Sequence, residues 1–159
     1  MAIQIATAGG QDSQSQIFVT VQNDDATQAG GLYPGQCVEW VSTTTDAAQG
    51  YYVRLVTAAS ANTTAGLSGA VVAGVVDTTI MTAAVGRIQV WGPANVRASA
   101  SINGPTMVVT YSINATNIGH VDVDTATTLV SPRYAASVVG YTMEDGPNAT
   151  NSRVFLKCM

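Results

Sequence analysis

Charge is what this chain has least of. Five arginines, one lysine, eight aspartates and two glutamates make up 10% of its 159 residues, against roughly 25% in an ordinary soluble domain. Enzymes need convergent acids, bases or ligands, and few are available to converge. One histidine, His120, excludes a His-based metal cluster. A net charge of −4 and a pI near 4.5 exclude the basic stripe of a nucleic-acid binder. Cysteine is scarce as well. Cys37 and Cys158 lie near opposite ends, too few for a disulfide framework; the expectation is two small, buried, reduced side chains, with a pairing left open. The opening Met1-Ala2-Ile3-Gln4-Ile5 has neither a basic n-region nor an apolar h-region. The chain is therefore expected to lack a secretory signal, and it has no apolar run long enough to span a bilayer.

What is present has a direction. The apolar fraction is 47%, built from Val and Ala with only two Phe and two Trp. Val, and the abundant Thr beside it, are stiff at Cβ and suit a pleated sheet. Ile17, Val19 and Val21 alternate with Gln16, Thr20 and Gln22, and Asn23-Asp24-Asp25 closes that run as a turn. Tyr51, Val53 and Leu55 alternate with Tyr52, Arg54 and Val56; Val121 and Val123 with His120, Asp122 and Asp124; Val154, Leu156 and Cys158 with Arg153, Phe155 and Lys157. Short period-two runs between Gly, Asn, Pro and Thr clusters predict an all-β fold, a compact antiparallel β-barrel or β-sandwich. No window carries a helical period, and the Ala-rich stretch Thr57 to Gly66 reads as a loop or one short turn.

The glycines suggest a degenerate duplication. Gly35 and Gly50 recur 69 residues on as Gly104 and Gly119, while Gly74 and Arg87 recur 66 on as Gly140 and Arg153. Two copies, 35–92 and 104–159, would then close one barrel or sandwich over 35–159, although Gly and Val are common enough here for chance. Residues 1–34 fall outside this repeat. They hold one strand and a stretch of linker composition, Ala26 to Pro34, which fits an extended N-terminal arm and equally an edge strand with a long loop.

Candidate chemistry fails on partners. His120, Asp122 and Asp124 share one side of a strand and could offer oxygens to Ca²⁺; a solvated face opposite Val121 and Val123 is the better reading. Glu39 and Glu144, the only glutamates, carry no sign of convergence as a glycosidase pair. Gly9-Gly10 and Gly30-Gly31 lack the spacing and lysine of a phosphate loop. Asn-x-Thr triplets at Asn62, Asn114 and Asn148 are what an Asn- and Thr-rich chain produces by chance. No catalytic residue, cofactor or metal is expected. Trp40 reads as core closure at a barrel end, and Trp91, before Gly92-Pro93, divides between closure and contact.

Two stretches carry a resemblance: Ala73-Gly74-Val75-Val76-Asp77 with Ala83 to Gly92, and Val138-Val139-Gly140-Tyr141 with Arg153 to Cys158. Over roughly residues 70–159 the chain resembles the capsid decoration, or cement, proteins of tailed bacteriophages. The resemblance implies a β-barrel or β-tulip domain on the outer surface of the expanded virion capsid. It also implies synthesis in the host cytoplasm, the major capsid protein as partner, a homotrimer or homodimer, and no nucleic acid, membrane or enzymatic activity. Residues 1–34 have no counterpart there. The expected contact surfaces are the arm, with Leu32 and Tyr33, and the turn at Trp91 and Pro93. The rival expectations are another virion component (a head-fibre base, tail or baseplate protein) and a carbohydrate-binding β-sandwich module. The module would place Trp91 beside Tyr51 or Tyr52 on an open face. A small hydrolase using His120 or Glu39 is a remote third.

Overall fold

A computed structural model of the chain describes residues 3–6, 15–25, 30–41, 51–56, 72–98, 102, 107–111, 119–123, 138–143 and 151–158. These form ten strands, with no helix among the described residues: β1 (Ile3–Ala6), β2 (Gln16–Asn23), β3 (Cys37–Trp40), β4 (Tyr52–Leu55), β5 (Val72–Val76), β6 (Val85–Val96), β7 (Met107–Tyr111), β8 (His120–Val123), β9 (Val138–Thr142) and β10 (Ser152–Lys157).

β2 pairs antiparallel with the first half of β6, from Gln22↔Val85 to Ile17↔Trp91, and parallel with β4 at Asn23↔Val53. β4 pairs with β3, β3 with β5, and β5 with β6. Five strands thus close into a barrel. The alternation seen in the sequence supplies its interior: Val19, Val21, Val38, Val53, Leu55, Val76, Ile88 and Val90 point inward, with Leu32 and Ile80 bridged across one end and Trp40 packed against the cluster. Each such Val, Leu or Ile contributes about 1.5–3 kcal/mol on burial. On the wall, Glu39 is buried but held by Arg54, whose Nε donates to Oε1 at 2.6 Å. Asn23 and Asp25 are buried because they serve backbone groups that would otherwise be orphaned. Asn23 Nδ2 donates to the Ile80 carbonyl (2.9 Å), and Asp25 Oδ2 accepts the Leu55 N–H (3.1 Å).

The second half of β6 begins a second set: β6, β10, β9 and β7 pair antiparallel in that order, then β7 with β8. A single parallel bridge, Ala98↔Val121, joins the end of the set to its beginning. This repeats the pairing of the first set, register included. Val38↔Gly74 with a bulge before Glu39 recurs as Val108↔Gly140 with a bulge before Val109. Val76↔Ile88 recurs as Thr142↔Val154, Val19↔Ile88 as Ala94↔Val154, and the parallel Asn23↔Val53 as Ala98↔Val121. Gly74 and Gly140 stand where strands approach too closely for a side chain. A Cβ on Gly74 would lie 2.6 Å from the Gln89 carbonyl oxygen, and one on Gly140 would fall on that of Phe155, the matching residue.

The boundary placed at residue 34 does not coincide with a break in this fold. β2 is a stave of the first barrel, and only β1 lies outside it, along the edge of β2. The reason is that β6 is shared: it ends the first set and opens the second. Asn23 and its counterpart Ala98 are therefore 75 residues apart, out of step with the glycine offsets. The stretch 57–66, the Asn-x-Thr sites, Asp124 and Glu144 lie outside the described residues.

Candidate functional site

The two sets meet along β6, and a groove of about 1010 Å³ opens there. β6 bends at Gly92, whose φ of +92° belongs to the region that favours glycine. Side-chain amides hold the bend. Gln89 Nε2 donates to the carbonyls of Trp91 (3.0 Å) and Pro93 (2.9 Å), and Gln16 Nε2 also donates to Pro93 (2.8 Å). Beyond it the groove is lined by Asn95, Arg97, His120, Asn151 and Arg153, with Asp77 at the first barrel.

The charges in this groove are mostly engaged in structure. Arg87 donates from Nε to Asp77 Oδ2 at 2.9 Å and lies over the Phe18 ring, 4.3 Å from its centroid. Arg97 donates to the Pro34 carbonyl at 3.1 Å and faces the Tyr33 ring at 5.8 Å. His120 is half-buried, and its Nδ1 is buried without a hydrogen-bond partner. Burial lowers its pKa, the Arg97 guanidinium lowers it further, and a backbone hydrogen bond at Ala98 opposes both. The lowered pKa favours the neutral imidazole beside Arg97. Among the described residues no group of three or more His, Cys, Asp or Glu is placed to hold a metal ion. What the groove offers is a polar wall of amides and guanidinium groups.

The expected contact residues separate. Tyr33 is 40% exposed, but Leu32 has no exposed surface. Its backbone bridges Ile80 and its side chain fills the barrel end, so it shapes the surface from beneath and touches nothing outside. Trp91 is half-buried, edge-to-face with Phe155 at 5.3 Å, and Pro93 is half-buried beside it. Tyr51 and Tyr52 meet edge-to-face, their centroids 5.4 Å apart. The rings thus form two separate pairs, and the described residues show no ring contact between Trp91 and Tyr51 or Tyr52. Cys37 and Cys158 are free thiols in the core between the two sets.

Not anticipated from the sequence are Tyr141 on β9 and Met143 just after it, 51% and 40% exposed, and Met81 and Val85 at the first barrel. The signal was present in part: Tyr141 and Met143 occupy every second position, opposite a buried Thr142. No protein-family model, curated protein or solved structure matches this chain.

Proposed function

We propose that this chain is a non-enzymatic virion structural protein, a capsid decoration protein that binds the outer surface of an expanded shell and stabilises it. The observation that carries the reading is an all-β body bearing large apolar side chains in solvent: Tyr33, Met81, Val85, Tyr141 and Met143. Large apolar side chains held in solvent are candidates for burial against a partner, and Tyr and Trp anchor such contacts. Tyr33, Trp91, Pro93 and the β9 face are the contact candidates. The weakly charged surface suits a crowded lattice, because self-repulsion grows with net charge. Co-sedimentation with shells of the virus that encodes the chain tests this. Saturable binding to expanded shells and not to unexpanded ones is expected; binding to neither overturns the reading.

A further inference from the structure

One stretch of the outer wall of the first set, along β3 and β5, does not face solvent. Cys37, Val56, Val72 and Val75, at most 5% exposed, share one cluster with Val121, Val139, Val154 and Leu156 of the second set. The joint is tied by backbone bonds: the Cys37 N–H donates to the Gly119 carbonyl (2.8 Å), the Gly119 N–H to Val56 (3.0 Å) and the Arg97 N–H to Gly35 (2.8 Å). The second set therefore seats one end, Gly119 to Val121, on the wall of the first.

Because the two sets repeat one register, both halves of this joint have counterparts. The wall positions Cys37, Val72, Val75 and Gln89 correspond to Met107, Val138, Tyr141 and Phe155. In the first set Val75 is 2% exposed; its counterpart Tyr141 is 51% exposed, and no described residue covers it. The seating end, Gly119 to Val121, corresponds to Tyr51, Tyr52 and Val53. Tyr51 and Tyr52 are half-exposed, one ring edge against the other's face. Among the described residues the chain thus presents an exposed Tyr141 on one wall and a half-exposed Tyr51–Tyr52 end, the counterparts of the two surfaces that meet once inside it.

We infer that copies of this chain associate head to tail, the Tyr51–Tyr52 end of one seated on the Tyr141–Phe155 wall of the next. Such an interface is heterologous: it closes into a ring where its rotation permits and otherwise continues as a filament. Aromatic side chains on both surfaces suit it, since Tyr and Trp anchor interfaces with large area per residue. The inference goes beyond the virion reading and does not depend on it, because the isolated chain suffices to test it.

Sedimentation velocity over a concentration series decides. The unaltered chain is expected to form assemblies larger than a dimer, or a closed ring, as concentration rises. Tyr141→Arg keeps the end and spoils the wall; Tyr51→Arg keeps the wall and spoils the end. Each alone is expected to self-associate about tenfold more weakly or worse, while an equal mixture of the two forms a 1:1 dimer and stops there. Far-UV circular dichroism checks that each variant folds, and Met143→Arg, on the same wall, replaces Tyr141→Arg if it does not. An unaltered chain that stays monomeric overturns the inference. So does association of either variant at full strength, which points to a two-fold or unrelated interface. A mixture that remains monomeric overturns it as well and leaves the exposed wall to a different partner.

Discussion

Cys37 and Cys158 show what a small side chain does in a joint between two β units. Burial pushes the Cys37 thiol well above its usual pKa, with Cys158 adding to the shift. Burial likewise moves Cys158 to about 12, against a smaller opposing backbone hydrogen bond at Lys157. The thiolate is the reactive form, so both residues behave as packing. A thiol reagent at pH 8 is expected to leave both unmodified in the folded protein and to label both in urea; rapid labelling of native Cys37 would contradict its burial. His120 gives a second residue-level outcome. Its folded pKa lies below 6.5, chiefly through burial and then Arg97, so the unfolded chain takes up the proton first. Its contribution to stability is complete above about pH 6.5 and declines as the pH falls toward the lowered folded value. Urea midpoints at pH 7.5 and 5.5 should therefore differ less in His120→Asn than in the unaltered chain. An equal pH response in both would remove His120 from the acid side of the stability curve.

At the scale of elements, the strand is set by alternation and its placement by glycine. Inward residues such as Val19, Val21, Val53, Leu55, Val154 and Leu156 were legible in the sequence, because a period of two on a half-buried sheet leaves little choice of face. The paired glycines were legible too. Gly74 and Gly140 occupy equivalent bulges against the carbonyls of Gln89 and Phe155. Gly140→Ala and Gly74→Ala are each expected to destabilise the fold by about 1–3 kcal/mol through forced backbone shifts, read as a lower urea midpoint at unchanged slope. A neutral outcome at both would mean that the strands do not approach so closely. The role of β2 was not legible, because one long strand serves two sets and puts their equivalent positions out of step. Nor was the burial of Leu32, which sits among linker-like residues. Only its pairing with Ile80, 48 positions away, brings it inside. The groove residues Arg97 and His120 likewise meet through pairings that no local pattern encodes.

For the whole molecule, two five-strand sets of one register share β6 and pack through an apolar joint, leaving exposed aromatic and aliphatic side chains on a weakly charged body. Under the decoration reading proposed above, stabilisation of a lattice would follow from mass action. A ligand that binds the intact shell and not its dissociated parts raises the cost of disassembly by RT ln(1 + [L]/Kd) per independent site. The most direct measurement is scanning calorimetry of expanded, undecorated shells with increasing amounts of this protein. The shell transition is expected to move upward as free protein rises past the dissociation constant, and to keep rising with the logarithm of its concentration. A shell transition that stays at its original temperature while the protein melts separately would contradict the account.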